Sequence, residues 1–259
     1  MSERQQICGA VMTKEQWNYF CDFKDDLKRK IDEWSSATPE LTKLQSEAVR
    51  LANNPEYPFE TTVVYNRALD EVTPQDEIKL IVIGDNPGKD EQLAKNNRYL
   101  VGQAGKIAEG YFRRNPELGV DFRKNVIILN KTPVHSAKTA QLKTIAKLGG
   151  EKISKLIEES QIWMAQKTAE LHTKLGTELW LVGYSELKDK GIFCQYRDTL
   201  RASCSEAAWD KVYVFQHFSM NRFSIDLDSY VKSVKKENAP LESNIHELGV
   251  LHRKEIFGC

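Results

Sequence analysis

Apolar side chains recur at three- and four-residue spacing early in the chain. Trp17, Phe20, Cys21, Leu27, Ile31 and Trp34 fall on one face, which predicts an amphipathic helix over residues 14–34. Thr38-Pro39-Glu40 then reads as an N-cap with proline at the first helical position. It opens a second helix that turns Leu41, Leu44, Ala48 and Leu51 inward and ends over 53–59. From Lys79 the pattern changes. Leu80-Ile81-Val82-Ile83 is a continuous apolar run closed by Gly84, as expected of a strand buried on both faces, and similar runs fill 125–129, 178–182 and 211–215. Helical patterns separate these runs over 104–114, over 151–175 with Gly176 as the stop, and over 185–208 in two pieces. Alternating strand and helix predicts right-handed crossovers and an α/β fold, a three-layer α/β/α sandwich around a four-stranded parallel sheet. The expected organisation is an N-terminal helical extension over 1–60, an α/β domain over 61–230 and a C-terminal arm over 231–259 with no predicted element.

Composition narrows the function classes. At 259 residues the chain can bury a sizeable core. Lys+Arg and Asp+Glu both number 37, so any nucleic-acid surface must be a local patch. The five cysteines, Cys8, Cys21, Cys194, Cys204 and Cys259, form no Cys-x-x-Cys pair. That disfavours a disulfide framework or a cysteine metal site and fits a reducing interior. Residues 1–11 lack an apolar signal core, and no apolar run reaches the roughly 18 residues of a membrane span. The expectation is a soluble, monomeric protein of the cytoplasm, or of the nucleus in a eukaryote, with no metal and no cofactor.

Three of the predicted strands run into polar clusters: Gly84-Asp85-Asn86-Pro87-Gly88, Asn130, and His217-Phe218-Ser219. Open parallel sheets bind ligands beyond the carboxyl ends of their strands, so the three clusters are expected to share one pocket. Asp85 and Asn86 sit where side-chain oxygens and turn amides can hold a water or an oxyanion, although the tripeptide Asn-Pro-Gly is also an ordinary turn. Asn130 offers two donors and an acceptor in one plane. Its NH2 matches O4 of uracil and its carbonyl matches N3–H, while cytosine presents the opposite pattern; a plain cap of the Lys131-Thr132-Pro133 turn is the alternative. His217 can donate to negative charge on a leaving group, a structural role at the strand end being the alternative, and His135 is a secondary candidate. Between Phe122 and Gly150 there are no acidic residues. Arg123, Lys124, Lys131, Lys138, Lys143 and Lys147 make this a phosphate-tracking face or an ordinary solvated basic helix, with Thr132, Ser136 and Thr139 as neutral donors.

These motifs resemble the uracil-DNA glycosylase superfamily over roughly residues 80–222. Gly84-Asp85-Asn86-Pro87-Gly88 is similar to the Gly-x-Asn-Pro-Gly water-positioning motif of the single-strand-selective and mismatch-specific branches. Ile127-Ile128-Leu129-Asn130 resembles the Leu-Leu-Leu-Asn element that reads the uracil edge, and His217-Phe218-Ser219 resembles the His-Pro-Ser motif, with Phe218 in place of proline. Arg98-Tyr99-Leu100-Val101-Gly102 looks like the Arg-Pro-Phe-Val-Gly segment of the thermophile-type branch, whose aromatic ring stacks on uracil. Here the ring is displaced to Tyr99, with Leu100 in its place. The iron–sulfur cysteines of that branch are absent. The resemblance implies a base-excision-repair hydrolase that flips uracil from single- or double-stranded DNA and cleaves its N-glycosidic bond. Asn86, Asp85 and His217 would be catalytic, with Gly84, Tyr99, Leu100, Asn130 and Ser219 against the base. Lys131, Ser136 and Lys138 would lie on the DNA backbone, and Met220, Asn221 and Arg222 would supply a wedge. Two alternatives stay open: a related DNA-binding protein that no longer cleaves, and an α/β enzyme of nucleotides or phosphate esters.

Overall fold

The computed structural model describes residues 11–258, so Cys8, Cys259 and most of the segment read for a signal core lie outside the described residues. Four strands, β1 (Leu80–Gly84), β2 (Val126–Asn130), β3 (Glu178–Val182) and β4 (Val212–Phe215), form one sheet in the order β2-β1-β3-β4. All neighbours are parallel, with Gly84 opposite Asn130 at the carboxyl edge.

Successive residues of a strand face opposite sides of a sheet, and here both sides are apolar. Ile81, Ile83, Ile127, Leu129, Leu179, Leu181, Val212 and Val214 enter one core. That core is closed by α1 (Lys14–Ala37), α2 (Leu41–Leu51), α4 (Gln141–Leu175) and α5 (Cys194–Ser203). Leu80, Val82, Val126, Ile128, Trp180, Val182 and Phe215 enter the other, beneath α3 (Gln103–Arg114), α7 (Arg222–Val234) and α8 (Leu241–Phe257). The short α6 (Glu206–Trp209) leads into β4. Helices on both faces explain why the strands read as unbroken apolar runs instead of alternating ones. The architecture is therefore α/β with an all-parallel four-stranded sheet. Among the described residues no helix is long and apolar enough to cross a membrane.

Several local expectations shift. Helix α1 buries Phe20, Phe23, Leu27, Ile31 and Trp34, so Phe23 takes the inward place assigned to Cys21. Thr38 does not cap α2: its hydroxyl donates to the Trp34 carbonyl at the end of α1, and Glu40 precedes α2 without a side-chain cap. Within α2, which packs against α4, the buried positions are Leu41, Gln45, Ala48 and Val49, while Leu51 is exposed. Helix α4 begins ten residues earlier than its periodicity suggests and is broken at Gly150, whose φ of 64° lies in the left-handed region. The C-terminal segment read as an arm forms the end of α7 and all of α8, and α8 buries Ile245, Leu248 and Ile256 against β4 and the cores beside it.

Candidate functional site

The strand order reverses around β1, since β2 follows it on one side and β3 on the other, and a crevice opens beyond the carboxyl ends there. A cavity of about 970 Å³ occupies that crevice, within the roughly 300–1,000 Å³ usual for small-molecule sites. Asp85, Asn86, Asn130, His217 and Ser219 all line it, so side chains up to 134 positions apart converge as the strand ends predicted. The ends do not all adjoin, because β3 intervenes between β1 and β4. Its terminus contributes Gly183 at φ 94°, where a Cβ would fall 2.2 Å from Asp85 Oδ1. Only glycine there leaves room for the Asp85 carboxylate.

Hydrogen bonds fix the states of Asn86 and His217 on the floor, whereas the Asn130 amide nitrogen is unpartnered. The Asn86 amide nitrogen donates to the carbonyls of Pro87 and Ser136 and to Ser136 Oγ at 2.9–3.1 Å, so its donors are consumed and Oδ1 remains as the acceptor. Asn130 is 1% exposed, and its Nδ2 has no hydrogen-bond partner. Gly84 admits it: a Cβ at Gly84 would stand 2.4 Å from Asn130 Oδ1. Gly84 therefore serves the site by its missing side chain and does not itself line the cavity. A buried, unpaired amide donor is costly, and Asn130, which carries it, lines the cavity.

His217 has a defined tautomer. The Ser219 backbone N–H donates to Nδ1 at 3.1 Å and the Ser219 hydroxyl lies 2.9 Å from the same atom. An N–H can only donate, so Nδ1 is the acceptor and the ring proton sits on Nε2. Burial holds the pKa of His217 below the ordinary 6.5, with Lys131 reinforcing the effect and Asp85 opposing it. The ring is thus a neutral Nε2–H donor near neutral pH. His135 is different, because Nδ1 donates to the Pro87 carbonyl and Nε2 accepts from the Tyr57 hydroxyl, both at 2.8 Å. The Nδ1 bond braces the Asn86 loop at Pro87 and the Nε2 bond ties the ring to Tyr57, so both ring nitrogens are committed, and burial pushes the ring pKa down to about 4.

Three sequence-based roles are corrected. Lys131 does not reach a DNA backbone: its side chain is 0% exposed and its ammonium is bonded to Asp85 Oδ1 at 2.6 Å. Its partner lies 46 positions back, so the acid-free run around it looked like a basic patch. Tyr99 does not stack over a base, since it is 1% exposed, belongs to the core on the α3 side of the sheet, and donates its hydroxyl to the Val64 carbonyl. Leu100 lines the cavity instead, at φ 51°, with its N–H donating to Glu91 Oε1 and its carbonyl accepting from Arg123. Ser136 is buried, and its hydroxyl is engaged with Asn86 and the Lys138 carbonyl, so it positions the Asn86 loop rather than a phosphate.

Of the six basic residues in the predicted patch only Lys138 lines the cavity; Arg123 is paired with Glu109. The cations at the rim are Lys89, Lys138, Lys188 and Arg222, all exposed. Met220, at φ 55° and 68% exposed, stands at the mouth, whereas Asn221, also at φ 55°, is exposed but does not line the cavity. Glu91 was not anticipated. It is buried in the cavity wall, accepts from the N–H groups of Gly88 and Leu100, and joins the two loops. Burial raises its carboxyl to about 7, with the two backbone bonds opposing. Its spacing three residues after Gly88 is the only sequence signal, and no apolar period marks it. Comparison of the chain with family models, with curated proteins and with solved structures returns no match.

Proposed function

We propose that the protein is a uracil-DNA glycosylase, a hydrolase that takes uracil out of DNA and cleaves the bond joining it to deoxyribose. The observation that carries this proposal is the convergence of Asn86, Asn130 and His217 on one cavity, with the Asn130 amide nitrogen buried and unpartnered. A uracil edge offers O4 to that nitrogen and N3–H to Oδ1. Cytosine offers a donor and an acceptor in the reverse places and leaves buried groups unpaired.

The mechanism follows from the states already described. Lys89, Lys138, Lys188 and Arg222 attract the DNA backbone, and Met220 fills the space the flipped nucleotide leaves. Leu100 offers an aliphatic face to the base where an aromatic ring was expected. As the C1′–N1 bond breaks, its electron pair passes to uracil, and the negative charge is met by His217 Nε2–H and by Asn130 Nδ2. The sugar is left as an oxocarbenium cation. Asn86, whose amide has only an acceptor free, orients a water toward C1′. That water adds, and its proton passes to the uracil anion, so the products are an abasic sugar and neutral uracil. An amide is too weak a base to do more than orient.

Replacing Asn130 by aspartate puts an acceptor where O4 must find a donor, while leaving the rim cations untouched. Single-turnover excision from a uracil oligonucleotide is expected to fall by at least 10²-fold, with DNA affinity within about threefold of wild type. Equal loss of binding and excision would exclude the base-reading role.

A further inference from the structure

Beneath the cavity floor lies a fully buried cation whose place the proposed reaction does not by itself explain. Lys131 Nζ meets three acceptors, Asp85 Oδ1 at 2.6 Å, the Val182 carbonyl at 2.5 Å and the Gly84 carbonyl at 3.4 Å, which matches the three protons of an ammonium. The Phe193 ring lies 5.0 Å from the same nitrogen. The Lys131 backbone N–H adds bonds to the carbonyls of Gly84 and Asp85 at 3.0 and 3.1 Å. One residue therefore grips Asp85 by both main chain and side chain.

Stability alone does not call for this arrangement, since a buried ion pair is commonly matched or bettered by apolar side chains of similar volume. What the pair does accomplish is geometric. Asp85 Oδ1 is tied to Lys131, Oδ2 accepts from Thr139 Oγ1 at 3.2 Å, and Gly183 leaves the space the carboxylate fills. Asp85 lines the cavity with its side chain only 12% exposed and cannot swing away. A carboxylate whose two oxygens already accept hydrogen bonds, one of them from an ammonium, is held in place as a stationary charge.

We propose that Lys131 is a positioning residue of the cavity, which fixes the Asp85 carboxylate as a stationary negative charge facing the sugar, where it stabilises the oxocarbenium cation. The role at the sugar rests on the glycosylase proposal; the coupling of Lys131 to the cavity floor does not. Asp85, Glu186 and His217 are the titratable groups that feel the Lys131 charge.

The test uses the whole protein in four forms: wild type, Lys131→Met, Asp85→Asn and the double variant. The first readout is the His217 ring titration, followed by NMR without DNA. Removing the Lys131 cation is expected to raise the His217 pKa and removing the Asp85 anion to lower it. The second readout is single-turnover uracil excision, expected to fall on the order of 10²-fold in Lys131→Met and in Asp85→Asn, with the double variant no slower than Asp85→Asn. If Lys131→Met does not fold, the double variant, which buries neither charge, carries both comparisons against Asp85→Asn. Unmoved His217 titration, or losses that multiply in the double variant, would overturn the proposal. A wild type that releases no uracil while His217 responds as stated would sink the glycosylase assignment and leave the Lys131 coupling standing.

Discussion

Asn130→Ala separates a side chain kept for a ligand from one kept for the fold. Asn130 is 1% exposed, its Nδ2 bonds to nothing, and it faces the cavity beside Gly84. An unpaired buried amide donor costs about 1–3 kcal/mol, which truncation to alanine removes. The space vacated opens into the existing cavity, so no sealed void forms and the usual penalty of large-to-small replacement is small. The expected net effect runs from zero to about 1 kcal/mol of added stability. For a chain of this size that corresponds to a thermal midpoint unchanged or raised by about 2–4 °C. Excision should move the other way, by about 10²–10³-fold, the usual loss when one donor to a developing anion is removed. Differential scanning calorimetry and single-turnover excision on the same preparation read both quantities. A midpoint lowered by more than about 5 °C with excision preserved would make Asn130 a structural residue and exclude its role toward a ligand.

Two more outcomes follow from groups in and around the cavity wall. Below pH 6.5 the unfolded chain takes up a proton that folded His135, at about 4, refuses, so its contribution is intact above 6.5 and is lost as pH falls toward 4. Glu91 has the opposite sign: with its carboxyl at about 7 against an ordinary 4.5, its contribution is intact below 4.5 and is lost as pH rises through 7. The two slopes, each about 3 kcal/mol at full extent, offset one another between 4.5 and 6.5. Glu91→Gln should therefore expose the His135 slope, with urea unfolding showing about 2–3 kcal/mol more acid loss than wild type across that range; parallel curves would contradict it. Met220→Ala should slow excision from duplex DNA more than from single strands, with stability within about 0.5 kcal/mol, since the side chain is exposed. Equal slowing on both substrates would remove its wedge role.

The sheet was legible because burial on both faces writes an unbroken apolar run, and each of the four runs became a strand within a residue of its predicted ends. The convergence of Asn86, Asn130 and His217 was legible for a topological reason: strand ends in an open parallel sheet share one edge. What the chain hid was pairing at a distance. Lys131 looked like a surface cation because Asp85 is far from it in sequence, and Tyr99 looked like a stacking ring because nothing local announced the bond from its hydroxyl to Val64. Glu91 was invisible since a carboxylate joining two loops leaves no periodic trace. The C-terminal helix was missed because the face that α8 buries mixes polar Asn244, His252 and Arg253 with Ile245, Leu248 and Ile256, which blurs its apolar period.

The most direct measurement incubates the purified protein with otherwise identical oligonucleotides carrying uracil, thymine, cytosine or hypoxanthine and then cleaves abasic sites with alkali. Strand breakage is expected at uracil and none at cytosine, with the uracil signal lost in Asn130→Asp. An intact uracil strand under conditions in which the protein holds the DNA would contradict the glycosylase assignment.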